Sequence, residues 1–225
     1  DQDGDLVIDR VEVEEKTDPL DAGSFPGAVP VPYDARPLKG EAGWLRGELH
    51  ALSSCGEGKL TVAELVRQAE KLNLDFLAIT DRNTMAACMD PAFESKSVVL
   101  IPAMEWGDDK RGVALIYGPR TFPEAVDSLT DAQGLAQRVQ AQGGIFAVAH
   151  PCFPTCPWQW GLRYVNVIEV WCRGWHEAPP MSIETLAPGY SKRNEKSGKL
   201  VYSIARAAET NNLSANGQAA LFWDY

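Results

Sequence analysis

The sequence predicts an α/β fold with a parallel sheet or barrel, and two observations carry that prediction. Apolar runs of strand length alternate along the chain with amphipathic helical stretches, which is the pattern of repeated β–α–β units. Hydrophobic residues make up 45% and charged residues 23% of the 225 residues, a globular composition that excludes a disordered or fibrous chain. A chain of this length corresponds to one or two domains.

Two helices have clear boundary signals. The first is expected at 62–72, where Thr61 is a good N-cap and Glu64 completes a capping box. The second is expected at 131–142, with Thr130 as its candidate cap. The remaining predicted elements are strands at 44–52, 76–80, 98–103, 113–117, 145–149 and 165–171, and a helix at 200–210.

The charge balance excludes some functions. The net charge is −10, from 21 Lys and Arg against 31 Asp and Glu, whereas nucleic-acid binding depends on cationic contacts to phosphates. No apolar run approaches the ~20 residues of a membrane-spanning helix. We therefore expect no nucleic-acid partner and no membrane span, and the charge is compatible with cation binding.

Most of the negative charge lies in residues 1–21, where acidic side chains have the spacing of a calcium loop. A loop of this kind wraps carboxylate oxygens around one hard cation. The candidate ligands are Asp1, Asp3, Asp5, Asp9 and Glu12. The segment resembles calcium loops of the EF-hand or thrombospondin-type-3 kind, in which Ile8 would turn inward. Leu6 departs from the pattern, because the turn there favours glycine. The alternative is a solvated acidic tail.

The organisation predicted from composition has three parts. Residues 1–21 are the calcium-loop-like segment, residues 22–43 are a linker rich in Pro and Gly, and residues 44–225 are the barrel. The chain begins without Met, so we expect its native start to lie upstream. Because Ca²⁺ is abundant outside the cell, we expect an exported protein, periplasmic or extracellular, for which membrane attachment through an unseen N-terminus is an option.

Side chains that bind metals follow the predicted strands, at the edge where α/β barrels build their sites. Two His and two carboxylates from different strands could hold one divalent ion. The candidates are His50, Glu57, Asp81, Glu105 and His150. Each also has an ordinary interpretation: His150 could be a hydrogen-bonded residue at a strand end, and Glu105 an ion-pair partner.

Six short motifs resemble the polymerase-and-histidinol-phosphatase (PHP) superfamily in order. They are GELHALS at 47–53, GEGKLT at 56–61, AITDRN at 78–83, IPAME at 101–105, AHP at 149–151 and IEV at 168–170. The resemblance covers about residues 44–225 and implies a distorted (β/α)₇ TIM-like barrel. It also implies a site for up to three divalent ions, used for phosphoester hydrolysis, in which the metals lower the pKa of a bound water.

The chain departs from the PHP pattern at two ligand positions. Leu52 stands where the second His of the His-x-His motif belongs, and Arg82 replaces the His of Thr-Asp-His. The final Asp-x-His of the pattern would lie beyond Tyr225, so we expect the barrel to be incomplete at the C-terminal end of this sequence. The ligand types that remain are His50, Glu57, Glu105 and His150. If Arg82 points inward, it can pair with Glu57 or Glu105 and neutralise a carboxylate that metals would bridge.

Two functions follow from this ligand count. The first is a degenerate, non-catalytic PHP-like domain that serves as an exported binding or scaffold subunit. The alternative is a metal-dependent phosphoesterase with one divalent ion, Mn, Fe or Zn, in which Glu57 or Asp81 would take part in catalysis. The ligand count favours the first.

Cysteine and tryptophan residues suggest further contacts. Cys152 and Cys156 could form a disulfide in an exported protein or, with His150, a zinc site, and Cys55 near His50 could be cast as a nucleophile. The group of Trp158, Trp160, Trp171 and Trp175 is either core at the barrel rim or a surface for a protein partner.

Overall fold

The structure is a computed structural model that describes residues 1–31, 43–153, 155–171 and 219. The helix expected at 200–210, together with Cys172, Trp175 and the end of the chain, lies outside the described residues. The fold divides into two compact units. The first contains Asp1–Trp106 and Leu115–Phe146, and the second contains Gly107–Ala114 and the chain from Ala147 onward.

A six-stranded sheet confirms the predicted α/β class, and its strands follow chain order. They are β1 (Gly47–Ala51), β2 (Phe76–Ile79), β3 (Val99–Asp108), β4 (Gly112–Tyr117), β5 (Ile145–Val148) and β6 (Val167–Ile168). The pairs β1–β2, β2–β3 and β5–β6 are parallel, as β–α–β units require. Because the described residues hold six strands, the seven-stranded barrel implied by the PHP resemblance stays a prediction.

Four helices lie among the described residues: α1 (Asp9–Glu15), α2 (Val62–Lys71), α3 (Ala86–Met89) and α4 (Leu129–Ala141). The start of α2 is confirmed, since Thr61 and Glu64 form both bonds of a capping box. The start predicted for α4 was wrong. Ser128 caps the helix by accepting from the Asp131 N–H at 3.1 Å, which places Thr130 inside the first turn.

The core of the first unit forms where α2 packs on the sheet. Val62, Val66 and Ala69 lie on one face of α2 and are buried against Leu77 and Ile79 of β2. Burying one aliphatic side chain of this size contributes about 1.5–3 kcal/mol, so this face accounts for a large part of the attachment of α2. The packing holds the end of β2, from which Asp81 and Arg82 extend.

The N-terminal residues belong to the first unit. Asp21 forms an ion pair with Arg120 at 2.5 Å, and the Gln142 side chain donates to the Ala22 carbonyl at 3.1 Å. The Val31 N–H donates to the Arg120 carbonyl at 2.9 Å. Three residues of the predicted linker are therefore hydrogen-bonded to the rest of the first unit, namely Ala22 to Gln142, Val29 to Phe122 and Val31 to Arg120. The proposed domain boundaries stay a prediction. None of the described helices has both the length and the apolar character that a membrane span would need.

Candidate metal sites

Glu105 on β3 is the centre of the first candidate site. Its side chain is almost fully buried, and Arg82 Nε lies 3.2 Å from its Oε2. His50 Nε2, at the end of β1, lies 3.4 Å from its Oε1. The ion pair expected between Arg82 and a barrel carboxylate is thus present, and its partner is Glu105.

The backbone fixes Arg82 beside Glu105. Beyond β2, residues 81–83 continue to pair with β3: the Glu105 N–H donates to the Asp81 carbonyl at 3.2 Å, and the Asn83 N–H donates to the Glu105 carbonyl at 2.7 Å. These two bonds form a parallel bridge between Arg82 and Glu105, which places their side chains on the same side of the sheet. The ion pair therefore follows from strand register.

Asp81 is bound by the turn that follows β1. The Ser53 N–H donates to Asp81 Oδ1 at 2.6 Å, and the Ser53 hydroxyl donates to Oδ2. A Cβ on Gly56 would lie 2.8 Å from the Asp81 Cβ, so this turn approaches closer than a larger residue would allow. Asp81, offered by the sequence as a catalytic group, is here a fully buried acceptor that holds the 53–60 turn against β2.

The other predicted barrel ligands lie in different surroundings. Glu57 is exposed in the 53–60 turn. His150 is buried in the second unit at a φ of 31°, where its backbone N–H donates to Glu169 Oε2 at 3.0 Å and its ring lies 5.6 Å from that of Phe153. Within the described ranges, Asp1, Asp3 and Asp5 are the only group of three metal-ligand side chains whose donor atoms lie within 4.8 Å. The set His50, Glu57, Glu105 and His150 stays a prediction.

The acidic loop is held by its own backbone. The Gly4 N–H donates to Asp1 Oδ1 at 2.8 Å, and the Val7 N–H donates to Asp5 Oδ1 at 2.7 Å. The Asp5 N–H donates to Asp3 Oδ1 at 3.2 Å. These bonds use one oxygen of each carboxylate, and they gather Asp1, Asp3 and Asp5 around one point.

Four other carboxylate oxygens of the loop are buried without a hydrogen-bond partner among the described residues. They are Asp3 Oδ2, Asp5 Oδ2 and both oxygens of Glu12. Asp5 and Glu12 are 0% exposed. Burial first, and neighbouring carboxylates second, raise the pKa of Glu12, and burial likewise raises the pKa of Asp5. Buried charges of one sign without donors fit a hard cation that prefers oxygen ligands.

Two details of the loop differ from expectation. Ile8 is 59% exposed, so the inward turn expected of it was wrong. Asp9, the expected ligand at the ninth position, accepts a hydrogen bond from the Gln2 N–H at 3.0 Å. The departure at Leu6 does have the expected consequence, since Leu6 adopts a φ of 76° where glycine would be unstrained.

The disulfide expected between Cys152 and Cys156 is not formed. The Cys156 thiol instead lies 3.6 Å from the Asp108 carbonyl, to which it donates. Burial raises the pKa of the Cys152 thiol to about 12, which makes it a poor nucleophile. Both Cys152 and Cys156 are buried in the second unit.

The tryptophan cluster divides between core and surface. Trp158 and Trp160 are buried, and the Trp160 ring lies under the Arg111 guanidinium, 3.9 Å from its carbon. Trp171 is 64% exposed, and Trp175 lies outside the described residues. The interpretation as core holds for Trp158 and Trp160, whereas the protein partner stays a prediction.

Sequence reasoning missed two residues that shape these sites. Ser53 holds Asp81 across 28 positions of sequence, and no pattern marks the pair. Arg138 on α4 donates from Nε to the Asp5 carbonyl at 2.9 Å. The only sequence signal was that Arg138 follows Gly134 by four residues, which places Arg138 and Gly134 on one face of a helix.

Comparison with known proteins gives a structural likeness but no match at the level of sequence. The chain matches no protein-family model, and no curated protein matches it. Among solved structures, a protein of Bifidobacterium adolescentis described as a candidate metal-dependent phosphoesterase is similar, with a TM-score of 0.43 and 15% sequence identity. The similarity covers 73% of this chain and 84% of that one. Because both scores are low, the interpretation of the sites depends on the contacts described above.

Proposed function

We propose that this chain is a degenerate, non-catalytic PHP-like domain that serves as an exported binding or scaffold subunit. The observation that carries the proposal is the ion pair between Arg82 and Glu105. Glu105 is the carboxylate on which a divalent ion would depend, and a permanent cation already lies beside it. The guanidinium stays protonated at every relevant pH, so this neutralisation cannot be switched off by titration.

Electrostatics oppose a metal ion at the same carboxylate. Two like unit charges 4 Å apart repel by about 4 kcal/mol at the effective dielectric constant near a protein surface, and a divalent ion doubles that repulsion. Metal binding on Glu105 would therefore require Arg82 to move away, which would break the contact at 3.2 Å. Asp81 already accepts a bond from Ser53 on each of its oxygens, so a metal ion there would have to share these oxygens with Ser53.

The test compares metal content and hydrolysis in matched variants. The natural chain should contain substoichiometric Mn, Fe and Zn after native purification and should not hydrolyse bis(p-nitrophenyl) phosphate. Arg82→His removes the fixed charge and offers an imidazole, so it should bind a divalent ion more tightly. Arg67→His, on the exposed face of α2, is the control for adding an imidazole elsewhere. Two bound ions with turnover in the natural chain would overturn the proposal.

One contact favours the alternative, a phosphoesterase with a reduced metal site. His50 Nε2 and Glu105 Oε1 are 3.4 Å apart, and both are first-choice ligands for Zn, Mn or Fe. One ion held by these two groups, with Glu57 completing its coordination, would retain the chemistry of a polarised water. Stoichiometric metal that is lost in both His50→Ala and Glu105→Gln, together with turnover, would establish it.

The N-terminal segment has a function of its own in this proposal, namely Ca²⁺ binding by the loop of Asp1, Asp3, Asp5 and Glu12. The supporting observation is that Glu12 is completely buried and has no donor for either oxygen. A solvated acidic tail would leave this carboxylate in water. A cation with six to eight oxygen ligands accounts for the burial of Glu12 and for the unpaired oxygens of Asp3 and Asp5 together.

Calcium titration of the full chain tests the loop. Calorimetry should show one Ca²⁺ per chain, and Glu12→Gln should abolish binding because it removes a buried negative charge. Glu15→Gln, an exposed neighbour on the same segment, should leave the affinity nearly unchanged and serves as the control. Binding that survives Glu12→Gln would show that the unpaired carboxylate is not a ligand. Such loops are common in exported proteins, which is the support for export.

A further inference from the structure

The acidic loop rests on one face of α4. Arg138 Nε donates to the Asp5 carbonyl at 2.9 Å. The Leu6 Cδ1 atom lies 3.0 Å from where a Cβ on Gly134 would stand, and a Cβ on Gly4 would lie 3.5 Å from the Ala141 Cβ. Gly134, Arg138 and Ala141 follow one another at spacings of four and three, so they form a single helix face. We call these three residues the α4 seat.

The contacts with the α4 seat come from the same residues that shape the acidic loop. The Asp5 N–H donates to the Asp3 carboxylate and the Asp5 carboxylate accepts from the Val7 N–H, while the Asp5 carbonyl accepts from Arg138. Leu6 approaches Gly134 from a backbone with a φ of 76°. Any movement that opens the loop at Asp5 and Leu6 therefore also breaks the loop's attachment to α4.

Arg138 connects the loop to other parts of the first unit. Its NH1 atom pairs with Glu124, and its guanidinium carbon lies 4.8 Å from the centre of the Phe25 ring. The side chain is thus fixed from three sides, and it presents Nε to the loop in a set position. A donor fixed in this position can bond the Asp5 carbonyl only when the loop is closed, so this bond stabilises the closed loop.

The loop cannot stay closed equally well with and without a cation. Closure brings the carboxylates of Asp1, Asp3 and Asp5 within 4.8 Å and buries that of Glu12, with four oxygens lacking donors. Without a cation, mutual repulsion and lost hydration both favour opening. A bound cation attracts the carboxylates and replaces the water that they lose, so it favours closure.

We infer that cation binding and docking of residues 1–16 on the α4 seat form one coupled transition, in which Ca²⁺ clamps the segment onto α4 and its removal releases the segment. This inference rests on the calcium loop of the proposed function. Because coupling between two equilibria is reciprocal, weakening the seat must weaken Ca²⁺ binding by the same factor by which it favours release.

The experiment uses the full chain and two readouts. Isothermal calorimetry gives the Ca²⁺ affinity, and trypsin cleavage at the exposed Lys16, followed by mass spectrometry, reports release of the segment. Saturating Ca²⁺ should slow this cleavage by about tenfold or more, and excess EDTA should restore it. Arg138→Lys keeps the charge but loses the donor Nε, and Leu6→Ala loses the contact with Gly134. Each should weaken Ca²⁺ binding by about fivefold and speed cleavage correspondingly.

The outcomes separate this inference from the loop on which it rests. Arg67→Lys on α2 is the matched control and should change neither readout. If the natural chain binds no Ca²⁺, the proposed loop fails and the coupling fails with it. If Ca²⁺ binds but cleavage at Lys16 does not respond to it, or if Arg138→Lys and Leu6→Ala both leave the affinity unchanged, the loop stands and the coupling is wrong.

Discussion

Two regions of the first unit bury carboxylates, and they differ in where the compensating charge comes from. In the sheet, Glu105 has the guanidinium of Arg82 at 3.2 Å and the imidazole of His50 at 3.4 Å. In the N-terminal loop, Glu12 and Asp5 are as deeply buried, yet three of their four carboxylate oxygens have no donor among the described residues. The described part of the chain therefore supplies a counter-charge at Glu105 and none to these three oxygens.

The difference supports the proposal that the loop gains more from a metal ion than the sheet does. Ligand-type residues alone would have favoured the sheet, where His and carboxylates follow the strands. The contacts reverse that order, because a buried carboxylate with a cation of its own has little need of another, whereas one without a cation is destabilising unless a ligand arrives. Four predictions test this comparison.

The largest effect is expected from removing the built-in cation. Arg82→Met leaves Glu105 buried without its counter-charge, and we expect the free energy of unfolding to fall by about 3–5 kcal/mol in urea titrations. Arg82→Met combined with Glu105→Leu should recover most of that loss, because neither charge remains. A single variant as stable as the natural chain would show that the pair contributes nothing to stability.

The next effect comes from supplying the missing cation to the loop. Ca²⁺ at about 100 times its dissociation constant should raise the free energy of unfolding by about 2.7 kcal/mol, measured by thermal unfolding with and without EDTA. In Glu12→Gln the increase should disappear. Arg82→Met should retain the increase, since Arg82 and Glu105 take no part in the loop. If Arg82→Met also loses the increase, the two regions are not independent.

A third, smaller effect tests whether Asp81 is a structural acceptor. Ser53→Ala removes the hydroxyl that donates to Asp81 Oδ2, and we expect a loss of about 1–3 kcal/mol in the free energy of unfolding because a buried acceptor loses its donor. Ser54→Ala, the exposed neighbour in the same turn, should change stability by less than about 0.5 kcal/mol. Equal losses in the two variants would assign the effect to the turn rather than to Asp81.

The smallest effect is expected from an exposed carboxylate, Asp21, which pairs with Arg120. Arg120 holds the pKa of Asp21 below its ordinary value of 3.8, so this pair stabilises the fold above that pH and the contribution is lost as the pH falls through the lower folded-state pKa. Because Asp21 is 36% exposed, we expect Asp21→Asn to cost less than about 1 kcal/mol at pH 7. The difference between the variant and the natural chain should shrink toward zero in acid denaturation below pH 3.8.

Local sequence signals predicted the start of a helix correctly where only one residue could serve as its N-cap. The capping box at Thr61 and Glu64 fixed the start of α2, because both of its bonds lie within three residues. At α4 two hydroxyl residues competed, and the bond from Asp131 favoured Ser128 over Thr130. Short helices such as α3 (Ala86–Met89) were missed because four residues carry no periodic pattern.

The sequence predicted which kinds of side chain form the sites, but not which of these side chains contact one another. A permanent cation among predicted ligands led to the expectation of an ion pair with Glu57 or Glu105, and strand register decided for Glu105. The capture of Asp81 by Ser53 joins distant positions, and no local rule reports such a contact. Ile8 was assigned inward by analogy with glycine-turned loops, whereas here a strained Leu6 occupies that turn.

The close approach of the 53–60 turn to Asp81 also bears on how this protein could be redesigned as a hydrolase. Exchanging Arg82 would vacate Glu105, but the neighbouring aspartate would remain tied to Ser53, in a space that admits no side chain at Gly56. A designer would have to rebuild the turn, the serine and the arginine together, since Arg82→His alone could restore a metal ion at Glu105 but would leave Asp81 bonded to Ser53. Under the proposed function, the step from enzyme to scaffold is easier to take than to retrace.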